Sequence, residues 1–230
     1  MRSCTRSAFA HVDGRAVPDN RTIYVVDDEA IVRRSLERLL TAEGFAVTSF
    51  DSAAAFLDAA PQLRRGCVLL DVLMPGMDGL ELQERLVALG IALPMVIMTG
   101  YGDVPTAVRA MKAGAADFLE KPYSDGDLLR AIDFALDREG TIRGERDAAE
   151  AARLVASLSQ REQEVLNALV SGRPNKLIAC DLGISVRTVE VHRARMMKRL
   201  GVRQFAGAIR IGVLAARLGA REHSGRADDD

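Results

Sequence analysis

The sequence is poor in cysteine: Cys4, Cys67 and Cys180 are the only three in 230 residues. Scattered and odd in number, they form neither a disulfide framework nor a metal-ligand cluster, which points to a reduced, cytoplasmic compartment. Long hydrophobic runs are missing too. The longest stretch without a charge, Leu86–Gly102, has 17 residues and is interrupted by Gly90, Pro94 and Gly100. A membrane-spanning helix needs about 20 apolar residues, so no membrane association is expected. Residues 1–20 lack the apolar centre, about 7–15 residues long, of a secretory signal. No internal repeat or low-complexity tract is present. The chain also lacks net charge: 31 Lys and Arg against 32 Asp and Glu leave −1. Taken whole, that balance argues against a nucleic-acid partner.

What is present is enough to fold. Hydrophobic residues make up 48%, ordinary for a packed protein and too many for a disordered one. At about 100–200 residues per domain, the length fits one large domain or two small ones. The charge, taken by segment, favours two. Residues 21–140 carry 12 basic and 19 acidic groups, a net of −7, whereas residues 155–223 carry 12 basic and 5 acidic, a net of +7. An acidic module is joined to one that suits an anionic partner.

The acidic half alternates short apolar runs with helical periods. Thr22–Val26, Phe45–Ser49, Cys67–Leu70, Met95–Met98 and Asp117–Leu119 read as strands. Glu29–Glu43, Ser52–Ala60, Asp78–Leu89, Val104–Ala113 and Ser124–Arg138 read as helices, three of them followed by Gly44, Gly90 and Gly114. Five βα units in series make a doubly wound α/β domain with a parallel five-stranded sheet. Such sheets bind ligands at the carboxyl ends of their strands. Asp27 and Asp28 follow the first strand, Asp71 the third, Thr99 the fourth and Lys121 the fifth.

Singly, each has an ordinary explanation. Asp28 serves as well as a helix cap, Asp71 as a turn residue in a turn-rich loop, and Lys121–Pro122 as part of a loop. Together they form a specific chemistry. Clustered carboxylates repel and attract a hard divalent cation such as Mg²⁺, which takes oxygen ligands and keeps waters for phosphate. A lysine and a threonine hydroxyl opposite them suit a phosphoryl group, and a carboxylate so placed can attack phosphorus.

The runs VVDDE, LLDVLMPGMDG, MTG and FLEKP resemble the signature of two-component receiver domains, over residues 21–140. The resemblance implies that Asp71 is the phospho-acceptor. It implies that Asp27, Asp28 (directly), Asp71 and the backbone carbonyl of Leu73 hold Mg²⁺. Thr99 and Lys121 bind the phosphoryl group, Phe118 is the aromatic switch that turns inward, and Lys121–Pro122 is cis. The helix-then-strand surface from Val104 to Leu119, with Val108 and Met111, is the expected dimer face. Haloacid-dehalogenase-type phosphatases also use an Asp nucleophile with Thr and Lys. They want a second carboxylate two residues after the nucleophile, where this chain has Leu73.

Residues 141–157 carry mixed charge and many alanines and read as a partly helical linker. Beyond it, Ser159 and Glu162 have capping-box spacing ahead of Val165, Leu166 and Leu169, with Gly172 as a stop. Asn175–Leu182, Gly183, then Ser185 capping Val186–Leu200, is the helix-turn-helix order. Arg187, Arg193, Arg195, Lys198 and Arg199 lie along the longer helix, and a fourth helix covers about 205–218. LSQREQEVL, PNKLIACDLGIS and RTVEVHRARMMKRL resemble the LuxR-type DNA-binding domain, over residues 158–219.

The order of the two modules is that of FixJ/NarL-type response regulators. That resemblance implies that Glu190, Val191 and Ala194 lie nearest base edges, while Lys176, Arg187, Thr188, Arg193 and Arg195 hold phosphates or bases. The fourth helix supplies a dimer contact. Residues 1–20 and 220–230 are expected to be disordered. The implied partners are a sensor histidine kinase, double-stranded promoter DNA, RNA polymerase and, on phosphorylation, a second copy of the chain. The implied role is a transcription regulator, not an enzyme beyond its own phosphotransfer and dephosphorylation.

Overall fold

A computed structural model describes residues 21–100, 104–137, 141–202 and 205–224. The ends expected to be disordered, 1–20 and 225–230, lie outside the described residues. Five strands, β1 (Thr22–Val26), β2 (Ala46–Phe50), β3 (Cys67–Asp71), β4 (Met95–Thr99) and β5 (Asp117–Glu120), form one parallel sheet in the order β2-β1-β3-β4-β5. The helices between them are α1 (Ala30–Ala42), α2 (Ala53–Ala59), α3 (Gly79–Ala88) and α4 (Val104–Lys112), with α5 (Asp125–Asp137) after β5.

The sheet is covered on both faces, which is why β3 and β4 are apolar without alternation and buried at every residue. Successive side chains still point to opposite faces. Tyr24, Val26, Val68, Leu70 and Ile97 meet α2, α3 and α4 residues such as Phe56, Leu82 and Met111. Ile23, Val25, Leu69, Val96 and Met98 meet α1 and α5 through Leu36, Leu40, Leu128 and Ile132. The chain winds outward from β1 in two directions, so a crevice opens where β1 and β3 end side by side.

The second half is helical: α6 (Thr141–Ala156), α7 (Gln160–Val170), α8 (Asn175–Leu182), α9 (Val186–Arg199) and α10 (Phe205–Ser224). Two features differ from expectation. The segment expected to be a partly helical linker is one helix of 16 residues, α6. Its Ala148 and Ala151 are buried, Leu154 and Val155 partly so, and it runs against α10. Small residues on that face let the two helices approach closely. Helix α10 in turn continues to Ser224, beyond the Leu218 end and past the boundary drawn at residue 219. Among the described residues no helix is long and apolar enough to cross a membrane.

Cys67 lies fully buried in β3, and burial pushes its thiol up to about 12, whereas Cys180 is exposed on α8. Because the thiolate is the reactive form, iodoacetamide at about pH 8 should alkylate Cys180 and spare Cys67 until the chain is unfolded. Peptide mapping by mass spectrometry reads this out; modification of Cys67 in the native chain contradicts it.

Candidate functional site

Strand ends bring the predicted residues together. Asp27 ends the β1 run fully buried, and Asp71, at the end of β3, is 6% exposed. Lys121, just after β5, lies between them: its Nζ donates to Asp71 Oδ1 at 2.8 Å and to Asp27 Oδ2 at 3.1 Å. The second oxygen of Asp27 accepts the Glu29 N–H at 2.8 Å, which fixes its orientation. Thr99, at the end of β4, is buried, and its carbonyl accepts the Lys121 N–H at 2.7 Å, tying the lysine to the site floor. The Lys121–Pro122 bond is cis, as the receiver resemblance implies.

The charges do not cancel. Two carboxylates face one ammonium, and the neighbouring Arg33 guanidinium is turned to the Asp27 backbone carbonyl and not to a carboxylate, which leaves one negative charge over at the bridge. Burial holds the Asp71 carboxyl above its ordinary value; Lys121 and the Leu73 N–H pull it down, and the Asp27 charge pushes it further up. Burial alone would lower the Lys121 ammonium, but the Asp71 and Asp27 carboxylates outweigh it and hold it above its usual value. The lysine stays protonated, and the site has unspent capacity for positive charge.

That surplus and the all-oxygen donors suit a hard divalent cation. The expected third carboxylate is placed differently. Asp28 is exposed beside buried Asp27, and among the described residues no three His, Cys, Asp or Glu side chains converge to hold a metal. Beyond β1 the chain bends at Asp28 while the Asp27 side chain folds onto the Glu29 N–H, which separates the two carboxylates. The Leu73 side chain is 55% exposed, with its backbone at the site. Phe118, expected to turn inward on activation, is already buried here at 2% exposure.

Two residues of this site were not singled out from the sequence. Arg33, on α1, donates to the Asp27 carbonyl at 2.6 Å. Gly79 opens α3, capped by Asp78, and a Cβ there would stand 2.1 Å from the Asp71 carbonyl oxygen. Only glycine lets α3 start against the backbone of the central aspartate. The MDG run was visible, but its steric reason lies in the approach of two segments.

The basic half builds a second surface. Ser159 and Glu162 form the expected capping box, and buried Glu162 also meets Arg199 at 3.1 Å, joining α7 to the end of α9. Burial raises the Glu162 carboxyl, but the Ser159 N–H and hydroxyl with Arg199 outweigh it and hold it below the ordinary range. Gly183, at φ 65°, makes the left-handed turn out of α8, and Ser185 caps α9 through the Thr188 N–H at 3.0 Å. Val189, Met196 and Leu200 are buried beneath.

On the outer side Lys176, Arg187, Glu190, Val191, Ala194 and Arg195 are exposed, and Thr188 is half-buried with its hydroxyl on Ser185. Arg193 departs from this set. Its guanidinium donates to Asn175 at 3.0 Å and lies 4.2 Å over the Phe205 ring, turned toward α8 and α10 instead of outward. Two of the five basic residues of α9, Arg193 and Arg199, therefore brace the domain.

A lysine-bridged acidic pocket on a doubly wound sheet, joined to a basic helix-turn-helix, defines a receiver coupled to a DNA-binding module. Comparison with known proteins agrees. Residues 23–133 match the response regulator receiver domain family, and residues 156–211 the bacterial regulatory proteins of the luxR family. The transcriptional regulatory protein FixJ of Azorhizobium caulinodans is 48% identical over 200 residues, covering 86% of this chain and 95% of that protein. FixJ of Bradyrhizobium diazoefficiens is 49% identical over 197 residues, covering 85% and 96%. The crystal structure of full-length FixJ from B. japonicum, 47% identical, covers 87% of this chain and 99% of its own, with a TM-score of 0.52. The chain belongs to the FixJ-like family of two-component response regulators.

Gly79→Ala forces apart α3 and the Asp71 backbone, at a cost of about 1–3 kcal/mol by the usual penalty for overpacking. Denaturant unfolding followed by circular dichroism measures it; an unchanged midpoint contradicts the close approach.

Proposed function

We propose that a sensor histidine kinase phosphorylates this chain on Asp71, that the phosphorylated chain dimerises, and that the dimer binds paired half-sites in promoter DNA to regulate transcription. The supporting observation is the Lys121 bridge between Asp27 and Asp71 at the crevice where β1 and β3 end. In the reaction an Asp71 carboxylate oxygen attacks phosphorus, the P–O bond forms, and the bond to the phosphodonor breaks with its electron pair on the leaving group. Lys121, already protonated and within reach of the Asp71 oxygen, meets the new phosphoryl charge. Asp27 keeps the lysine oriented, and the Thr99 hydroxyl donates to a phosphoryl oxygen.

Asp27 and Asp71, with the exposed Asp28 and the Leu73 carbonyl beside them, are the residues to hold Mg²⁺. Bound there, the ion would supply positive charge for the phosphoryl oxygens.

Phosphorylation adds about −1.5 to −2 charge and three acceptor oxygens to a site that already has a negative surplus. In the basic half, Glu190, Val191 and Ala194 face the bases in the major groove, and Lys176, Arg187, Thr188 and Arg195 hold phosphates or bases. Arg193 acts from behind, by fixing α9 against Asn175 and Phe205. Helix α10, and the surface of α4 and β5, are the pairing surfaces. The promoter-bound dimer acts with RNA polymerase.

The test is intact-mass spectrometry of the full chain incubated with Mg²⁺ and acetyl phosphate. The native chain should gain one phosphoryl group and Asp71→Asn none. Unchanged labelling of the variant sinks the assignment.

A further inference from the structure

Helix α9 carries one charge of the wrong sign. Arg187, Glu190, Val191 and Ala194 lie at spacings of three and four along one exposed face, opposite the buried Val189 and Met196. Five of the 14 residues of α9 are Lys or Arg, and Glu190 is its one acidic residue. Helix α10 lies along α4 and β5 of the receiver and α7 touches α4, and in that arrangement the outer face of α9 stays exposed.

A carboxylate on a face that meets DNA is repelled by the phosphates. What offsets the repulsion is a hydrogen-bond donor on a base edge. The major groove offers two, the amino groups of cytosine and adenine. Adenine sets its N7 acceptor beside the amino group, where it repels the second carboxylate oxygen. Cytosine has no such acceptor on its own edge, so cytosine is the base a carboxylate selects.

Glu190 also has a partner. The Arg187 guanidinium, one turn earlier on the same face, donates to Glu190 Oε2 at 3.2 Å. Both side chains are exposed, so in water the pair adds little stability. It does aim the two groups together. The bond uses one of the five N–H donors of the guanidinium fork. The fork also matches the O6 and N7 acceptors of guanine, the base paired with cytosine. Val191 and Ala194 beside them are small and apolar and bring no competing polar group. Arg187 and Glu190 are the second and fifth residues of α9, in the part of a recognition helix that meets base edges.

We propose that Arg187 and Glu190 act as one unit that reads a C·G pair in each half-site. The carboxylate accepts from the cytosine amino group, and the guanidinium donates to the guanine while holding the carboxylate in place. Arg187 is thereby a base-reading residue and not a phosphate clamp. This rests on the reading of α9 as the helix that enters the major groove.

The experiment uses the full chain, treated with acetyl phosphate and Mg²⁺, as native protein, Glu190→Gln and Arg187→Ala. Circular-dichroism melting checks that each folds. Each protein selects duplexes from a random pool. Affinity for the native-selected duplex, and for copies with single base pairs changed, is then measured across a range of salt. The native chain should enrich a C·G pair at one fixed place in each half-site and prefer it to A·T there by about tenfold or more. Glu190→Gln should lose that preference in favour of adenine, whose N6 and N7 suit an amide. Arg187→Ala should lose most of the discrimination at the same pair, keep it elsewhere, and retain the native salt dependence.

A cytosine preference that survives Glu190→Gln overturns the proposal. If Arg187→Ala weakens all duplexes alike and lowers the salt slope by about one, Arg187 is a phosphate contact and the paired reading falls. It falls equally if Arg187→Ala changes nothing. A native chain that enriches no sequence overturns the reading of α9 itself, and the inference with it.

Discussion

The lysine bridge across Asp27 and Asp71 is the constraint on which the rest of this structure depends. Two buried carboxylates a few ångströms apart are unstable without positive charge between them. One ammonium answers only part of that need, and the remainder suits the pocket to a further positive charge, on which the proposed function rests. The architecture serves this arrangement. β1 and β3 must end side by side, Gly79 must bring α3 against the Asp71 backbone, and the Thr99 carbonyl must hold Lys121 in place.

Most of the fold was legible because its signals are local. Short apolar runs marked the strands, and glycine stops with Ser159 and Ser185 caps marked α7, α8 and α9 to within a residue or so. The parallel order followed from the serial βα pattern. The regular course of α6 was not legible. Alanine with mixed charge has no stop signal, its apolar face is made largely of small residues, and its helix is completed by α10, some sixty residues later in sequence.

The site was legible in identity and less so in pose. Asp71, Asp27, Thr99 and Lys121 stand where strand ends place them, but adjacency in sequence gave no warning that Asp28 faces solvent while Asp27 is buried. Counting charge on α9 likewise overlooked which guanidiniums are used internally. Arg193 is claimed by Asn175 and Phe205, partners from two other helices, and Arg199 by Glu162. The segment charges of −7 and +7 meet at particular residues. Arg210 lies near Asp117, and Arg193 senses Glu120. Part-exposed ion pairs contribute little by themselves, so the apolar contact of α10 with α4 and β5 carries most of the docking and the charges set its register.

The central claim is that the surplus negative charge at the Lys121 bridge exists to take a divalent cation for phosphoryl transfer. Calorimetric titration of Mg²⁺ into the full chain, beside Asp27→Ala, tests it most directly. The account predicts saturable binding by the native chain and its loss in the variant. Absence of binding by the native chain, or binding that survives Asp27→Ala unchanged, would contradict it.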